Sequence, residues 1–259
     1  MTIPEMKERK KQLGYTNTQL SILSGIPIRE VQDVFSDPPG NYTYETLDAL
    51  ETVLDPHEDS CIRETAHAYL TKPQGSYTLE DYYRIPDDYR VELIDGVIYD
   101  MGAPTSAHQL IAGILYARFY NHVHEQNGTC LPMISPLDVQ LDCDEKTMIQ
   151  PDVIVVCDRN KVINRCVYGA PDLVIEVLSP SSRRRDAVIK PGKYQQAGVR
   201  EYWLIDPIRR NVSVYDFAHD NYPAIYGFDS RIPVSIWEDG FEIDFQEVYD
   251  EIRFLYERE

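Results

Sequence analysis

The sequence has no long apolar run, no Cys-x-x-Cys pair and few positive charges. Without an apolar run of about 20 residues, no membrane-spanning segment is predicted. The start lacks an apolar stretch behind its charges, so no secretory signal is predicted either. The five cysteines indicate neither a disulfide framework nor a zinc site. We therefore expect five buried or indifferent thiols and a cytoplasmic location.

The shortage of cations limits how the protein could bind nucleic acid. Lys and Arg number 25 against 43 Asp and Glu, a net charge of −18. Non-specific coating of nucleic acid depends on Lys and Arg that displace counterions from phosphates. The sequence disfavours that class of protein, and any DNA contact must be local, through a basic patch or a bound cation.

Composition predicts a folded chain of two domains. Hydrophobic residues make up 43% and charged residues 26%, a composition typical of a folded globular protein. The length of 259 residues suits a small domain plus a medium one. The clearest break is the Pro- and Gly-containing stretch Thr71 to Ser76. We predict a helical domain over 1–56, a connecting helix and linker over 57–76, and a larger domain over 77–259.

The first domain has the pattern of short helices. The predicted helices are Lys7 to Leu13, Thr18 to Leu23, Ile28 to Phe35 and Tyr44 to Leu54. A tight turn at Ser24-Gly25-Ile26 separates the second from the third, as in a helix-turn-helix. With Leu13-Gly14-Tyr15-Thr16, Gln19-Leu20, Leu47, Leu50 and Leu54, the segment resembles repressor-type (Cro-like) helix-turn-helix domains.

That resemblance implies that the third helix enters the major groove of DNA. Its exposed residues would then include Arg29 and Gln32, beside the acidic Glu30 and Asp33. Residues 1–56 hold five Lys or Arg against nine Asp or Glu, whereas a DNA reader normally has the opposite balance. A module for docking or dimerisation therefore stays open as the alternative.

The larger region alternates strands and helices. Asp95-Gly96 predicts a two-residue hairpin turn within Arg90 to Met101. Helices are predicted at Tyr77 to Tyr83, Ala107 to Glu125 and Lys190 to Ala197, and a short one at the end of the chain. Strands are predicted at Thr129 to Met133, Leu137 to Leu141, Asp152 to Cys157, Asp172 to Leu178, Glu201 to Asp206 and Val212 to Phe217, with more in the tail.

Two acids interrupt apolar strands in this region. Glu176 stands near the middle of DLVIEVL, and Asp152 begins DVIVVC. A buried carboxylate without a partner is very costly. If the two strands pair antiparallel, Asp152 and Glu176 meet on one face, where a divalent cation would offset their repulsion. Oxygen ligands without Cys or a His pair favour Mg²⁺ or Mn²⁺.

The pattern of Pro-Asp, an apolar strand and then a Glu within the next strand resembles the PD-(D/E)XK nuclease superfamily. Over Tyr77 to Phe217 the chain is similar to its Uma-type restriction endonuclease family. The matching residues are Glu92-Leu93-Ile94-Asp95-Gly96, His108, Gln150-Pro151-Asp152-Val153, Pro171 to Pro180, Asp186, Lys190, Tyr194 and Ala197 to Asp206.

The resemblance implies an α/β (α+β) fold, a restriction-endonuclease-like mixed sheet flanked by helices. Asp152 and Glu176 would hold the Mg²⁺ (or Mn²⁺), with the backbone carbonyl of Val177 as a further ligand. The superfamily lysine normally follows the Glu by two residues, where this chain has Leu178. Lys190 in the next helix matches the position from which such members are thought to supply it, with Lys193 as a second choice.

Other polar residues have two interpretations each. Glu92 is a candidate third catalytic carboxylate, or a charge at a strand end facing water. His108 could contact a phosphate or the site, or be a structural histidine. Tyr202 and Trp203 are interpreted as core packing.

A basic cluster follows the second acid-bearing strand in sequence. It comprises Arg183, Arg184, Arg185, Lys190, Lys193 and Arg200, with only Asp186 opposing it in sequence. In so acidic a chain we expect Arg183, Arg184, Arg185 and Lys193 to contact the phosphate backbone. A solvated loop and helix face is the alternative.

Together these features predict a metal-dependent endonuclease that hydrolyses phosphodiester bonds, with DNA as the expected partner. The alternatives are a DNA-binding regulator with an inactive nuclease fold and a protein-interaction module. Cleavage of both strands of a duplex would favour a homodimer, since each site cuts one strand.

Overall fold

The computed structural model describes residues 2–54, 71–86, 88–179, 182–219, 222–238 and 240–257. Contacts divide the chain into two compact units, Met1–Arg63 and Glu64–Glu259. The predicted connecting helix at Asp59 to Leu70 and the thiol of Cys61 lie outside the described residues, and the predicted domain boundaries stay predictions. None of the helices in the described ranges combines the length and apolar character needed to cross a bilayer.

The first unit contains the helices predicted from its sequence. They are α1 (Ile3–Leu13), α2 (Asn17–Ser24), α3 (Ile28–Phe35) and α4 (Tyr44–Leu54). Helix α1 begins a turn earlier than predicted, because Thr2 and Glu5 form a capping box at its start. Gly14 and Gly25 end α1 and α2 in the left-handed conformation.

The second unit is built on a mixed sheet whose strands run in the order β10-β9-β8-β7-β5-β3 in the described residues. Its strands are β3 (Leu131–Ile134), β5 (Val153–Val156), β7 (Leu173–Val177), β8 (Glu201–Asp206), β9 (Asn211–Asp216) and β10 (Ala224–Gly227). Only β7 and β8 pair in parallel within this sheet as described. The predicted antiparallel pairing of the two acid-bearing strands is confirmed by Val153↔Ile175 and Ile154↔Val174.

Helices cover both faces of this sheet. They are α6 (Ser106–Glu125), α7 (Lys190–Ala197) and α8 (Phe245–Ile252), with a π-helical turn over Arg185–Ile189. A further short helix, α5 (Leu79–Tyr82), packs against the strand Val91–Ile94. Side chains along each strand alternate between the two faces of the sheet, so a separate hydrophobic core lies on each face. Val153 and Ile175 pack towards α6 in one core, and Ile154 and Val174 pack towards Tyr194 of α7 in the other. The predicted mixed sheet flanked by helices is confirmed.

Smaller strand pairs flank the sheet. They are β1 (Val91–Ile94) with β2 (Val97–Asp100), β4 (Val139–Gln140) with β6 (Val167–Tyr168), and β11 (Arg231–Pro233) with β12 (Glu242–Asp244). The β1–β2 hairpin turns at Asp95-Gly96 as predicted. Gly96 has φ 77°, and a Cβ there would lie 2.5 Å from the Gly75 carbonyl oxygen, so the turn needs glycine.

The expectation of five free thiols is wrong for two cysteines. Cys130 and Cys157 form a disulfide. The register Leu131↔Val156 places these two residues opposite each other, one step beyond the pairing of β3 and β5. The sequence predicted both strands but not that they are neighbours, so their cysteines were not connected. Cys143 and Cys166 are free.

The buried carboxylate of Glu201 on β8 should make the free energy of unfolding depend on pH. Trp203 Nε1 donates to its Oε1 at 2.6 Å and the Ile236 amide to its Oε2 at 3.0 Å. Burial raises the pKa of Glu201 to about 7. The folded state therefore binds the proton more tightly, and this contribution is fully present below about pH 4.5 and lost as pH rises through about 7.

We expect the native chain to lose about 3 kcal/mol of unfolding free energy through this group between pH 4.5 and pH 8. Glu201→Gln should flatten that part of the pH profile, and exposed Glu242→Gln should not. Denaturant unfolding followed by tryptophan fluorescence measures this in the second unit, because both tryptophans, Trp203 and Trp237, lie there. Parallel profiles for native chain and Glu201→Gln would contradict the prediction.

Candidate active site

Asp152 and Glu176 meet at one edge of the β5–β7 pair. Because Val153 pairs with Ile175 in an antiparallel register, the next pair along the two strands is Asp152 opposite Glu176, and directly opposed residues lie on the same face. Their exposed fractions are only 8% and 3%. The Val177 amide donates to Asp152 Oδ2 at 2.7 Å, so this acid also joins the two strands. The structure therefore brings together the two acids predicted to hold a metal.

Both acids border a small cavity of about 40 Å³, together with Val177, His108, Arg185 and Lys190. The hydrogen bonds and ion pairs of the two acids involve one oxygen of each, Oδ2 of Asp152 and Oε1 of Glu176. Among the described residues, the other two oxygens have no hydrogen-bond partner.

The ammonium group of Lys190 is enclosed by three carboxylates. Its Nζ lies 2.7 Å from Glu176 Oε1, 2.9 Å from Glu92 Oε1 and 3.1 Å from Asp186 Oδ1. Only 2% of the residue is exposed. Tyr194, one turn further along α7, donates to Glu176 Oε1 at 2.6 Å. Lys190 thus stands beside the acid pair, as its predicted role requires.

Charge and burial set the protonation of this cluster. Burial by itself would lower the pKa of Lys190, but the charges of Asp186, Glu176 and Glu92 raise it above its usual range. Burial raises the pKa of Glu176 well above its usual range, against the opposing charge of Lys190. Lys190 is therefore a fixed cation, whereas burial disfavours the ionised form of Glu176.

The donors fit a divalent cation in number and type. The described residues that line the cavity include three carboxylates, Asp152, Glu176 and Asp186, and three cations, Arg90, Arg185 and Lys190. Two acids with free oxygens suit Mg²⁺, which keeps several waters and takes one or two protein carboxylates. No group of three or more Asp, Glu, His or Cys in the described residues forms a ready-made cage.

His108 lies against the acid pair at the start of α6. Thr105 caps this helix and accepts from the His108 amide at 3.2 Å. The ring Nε2 is 3.0 Å from Asp152 Oδ2, while the buried Nδ1 has no hydrogen-bond partner among the described residues. The histidine therefore orients Asp152 rather than facing open solvent.

Glu92 is fully buried, so its interpretation as a strand-end charge facing water is wrong. It lies 2.8 Å from Arg185 Nε, and the Gln150 amide donates to it at 2.9 Å. Burial alone would raise the pKa of Glu92, but the charges of Lys190 and Arg185 lower it to about 2. It holds these two cations in place and does not border the cavity.

The basic cluster is opposed by more than Asp186, which corrects the prediction from sequence. Arg183 is 8% exposed and pairs with Asp206 through two bonds of 2.6 and 3.2 Å. Lys193 reaches Asp95 at 2.7 Å and also pairs with Asp142. The fold brings these acids from distant parts of the chain, so Arg183 and Lys193 do not form a free phosphate-binding surface.

The other residues predicted to contact nucleic acid differ in how exposed they are. Arg185 is buried, pairs with Glu92 and borders the cavity. Arg184 is half-buried, and its phosphate contact stays a prediction. In the first unit Arg29 and Gln32 are exposed on α3, whereas Glu30 accepts from the Thr46 hydroxyl at 2.9 Å.

Sequence reasoning missed the roles of Asp186 and Tyr194. Asp186 was interpreted as opposing a basic surface, and Tyr194 only as a matching residue. Both are four residues from Lys190, the spacing at which helix side chains become neighbours. That spacing was the available signal. Tyr202 and Trp203 are fully buried, which confirms their interpretation as core residues.

Comparison with known proteins agrees with the fold of the second unit. The crystal structure of a "putative nuclease belonging to DUF820" from Anabaena variabilis has a similar fold, with a TM-score of 0.56 and 20% identity, covering 67% of this chain and 97% of that one. An uncharacterized Synechocystis protein, slr1290, is 30% identical over 128 residues, 48% of this chain and 64% of the relative, just under two thirds of its length.

The family model Uma2, described as "Putative restriction endonuclease", matches residues 79–245, the region that holds the sheet, Asp152, Glu176 and Lys190. The chain belongs to the Uma2 family.

Proposed function

We propose that the second unit is a divalent-metal-dependent endonuclease that hydrolyses phosphodiester bonds in DNA, with Mg²⁺ or Mn²⁺ as its cofactor. The observation that carries the proposal is the pair Asp152 and Glu176. They are opposite each other on neighbouring strands and border one cavity, with Lys190 beside them. One oxygen of each acid has no hydrogen-bond partner among the described residues. Carboxylate oxygens are the donors that Mg²⁺ and Mn²⁺ prefer, which supports a divalent cation as the missing partner.

Asp152 and Glu176 would hold the cation, with the Val177 carbonyl as a further candidate ligand. When bound, the cation would activate a water and offset the charge that develops on phosphorus. Lys190 keeps its proton, so its role is to counter phosphate charge and not to act as the base. Glu92 and Asp186 hold Lys190, and His108 holds Asp152. Each group is thereby fixed before substrate arrives.

A plasmid assay tests metal dependence. We expect supercoiled DNA to be cleaved with Mg²⁺ or Mn²⁺ and to remain intact with EDTA or with Ca²⁺ alone. Linear product formed together with nicked product would support a homodimer that cuts both strands, and nicked circles alone would indicate single sites. Equal cleavage with EDTA, or no cleavage with either metal, would overturn the proposal.

The first unit is proposed to contact DNA through α3. The supporting observation is that Arg29 and Gln32 are exposed while Glu30 is turned towards Thr46 of α4. We expect Arg29→Ala to weaken duplex binding several-fold. The slope of log K against log salt concentration should fall by about one, as expected for the loss of one phosphate contact. Fluorescence anisotropy in EDTA at several salt concentrations measures this, with Lys11→Ala on α1 as control. An unchanged salt slope in Arg29→Ala would favour a protein-docking role.

A further inference from the structure

A second cavity of about 310 Å³ adjoins the one that holds the acid pair. Three tyrosines from α5 and the segment before β1 line it, with polar groups at its inner end. The residues used below are Tyr82, Tyr83, Tyr89, Arg90, Asp138 and Gln150. Nothing in the catalytic proposal uses this space.

The aromatic wall offers ring surface to a flat ligand. Tyr82 packs edge-on against Tyr83, with ring centroids 5.3 Å apart. The Arg165 guanidinium covers Tyr83, 3.2 Å from its centroid. Tyr83 and Tyr89 are only half-buried, so ring surface at the cavity remains accessible. Stacking on such rings is how single-stranded nucleic acids are commonly held, because every base has a π face.

The inner end carries both a donor and an acceptor. The Tyr82 hydroxyl and Gln150 Nε2 both donate to Asp138 Oδ1, each at 2.9 Å. Asp138 Oδ2 has no partner among the described residues. Arg90 Nη2 donates to Gln150 Oε1 at 3.3 Å, while its buried Nε lacks a partner in the same described set. A heteroaromatic edge that carries an N–H could donate to the open Asp138 oxygen.

The two cavities share a wall. Arg90 and Gln150 border both of them, and Gln150 is two residues before Asp152. The Gln150 amide donates to Glu92, which holds Lys190. A ligand in the tyrosine-lined cavity would therefore be adjacent to a phosphate held at the acid pair, as a base is adjacent to its own phosphate.

We propose that this tyrosine-lined cavity binds an unpaired nucleobase of the substrate, next to the phosphate that is cleaved. The inference rests on the proposed nuclease function and narrows its substrate to single-stranded nucleic acid or a duplex from which one base is turned out. A paired base is stacked within the duplex and cannot enter.

Binding of two single-stranded octamers tests this, measured by fluorescence anisotropy with the full chain in EDTA so that no cleavage occurs. One is fluorescein-labelled oligodeoxyadenylate, and the other has the same phosphates but abasic sugars. Electrostatic attraction is then equal for both. The native chain should bind the base-bearing octamer about tenfold more tightly, since one stacked base contributes a factor of about this size.

Tyr89→Leu should reduce this ratio to near one, while Tyr89→Phe and exposed Tyr222→Leu should keep it. If Tyr89→Leu does not fold, Tyr83→Leu takes its place with the same expectation. Equal binding of both octamers by the native chain, binding of neither, or an unchanged ratio in the leucine variant overturns the proposal. Metal-dependent cleavage without a base preference would reject only the cavity, and a base preference without cleavage would reject only the nuclease.

Discussion

Asp152→Asn is expected to lower metal-dependent plasmid cleavage by about a thousandfold, because a bound metal contributes several kcal/mol to phosphodiester hydrolysis. Glu176→Gln should have an effect of similar size. Both changes remove a charged ligand and keep the shape of the side chain. Cleavage rates at saturating Mg²⁺ provide the measurement.

The chain offers a matched control at the other end of the same strand pair. Asp172 Oδ2 accepts from the Cys157 amide at 2.7 Å, just as Asp152 Oδ2 accepts from the Val177 amide at 2.7 Å. Asparagine can keep either hydrogen bond through its carbonyl oxygen. Asp172→Asn should therefore cleave at nearly the native rate. Equal activity in the native chain and in Asp152→Asn would refute the metal assignment, and equal loss in both variants would show that strand pairing was the cause.

Lys190→Met should destabilise the second unit by about 3–5 kcal/mol at pH 8 and also abolish cleavage. Removing one partner of a buried ion pair leaves uncompensated charge, and here three carboxylates lose their common cation. Denaturant unfolding followed by tryptophan fluorescence measures the loss. Adding Glu176→Gln to Lys190→Met should recover part of the stability but no activity, since it removes one of the stranded charges.

Lys193→Met separates the two candidate lysines. Lys193 pairs with Asp95, whose side chain is 62% exposed, and with Asp142. The pair with Asp95 is exposed and contributes at most about 1 kcal/mol. The pair with Asp142 is partly buried, with 15% and 21% of the two side chains exposed. This variant should therefore lose less stability than Lys190→Met and cleave at close to the native rate. A Lys193→Met chain that lost cleavage while Lys190→Met kept it would reverse the assignment.

The sequence predicted the parts of the fold that depend on local pattern. Helix α7 and strand β8 have the predicted bounds, and the pairing of Asp152 with Glu176 followed from two apolar strands, each with one acid. These features depend on residues close in sequence, or on the cost of burying charge.

What could not be predicted depends on distant parts of the chain. Lys193 and Asp95 are 98 residues apart, so nothing near the basic cluster indicated that acids would neutralise it. The Cys130–Cys157 disulfide required knowing that β3 lies next to β5. The tyrosine-lined cavity likewise combines side chains from before β1 with others from the loop after β3.

The arrangement around Lys190 has a consequence for a chain still emerging from the ribosome. The three acids that hold this lysine come from positions 92, 176 and 186, on the hairpin, the central strand and the π-helical turn. Strand β7 also needs β8 as its parallel neighbour. Until β8 has been synthesised, β7 lacks this neighbour and Glu176 is not held beside Lys190. The proposed catalytic site would therefore be inactive until most of the second unit has been synthesised and folded.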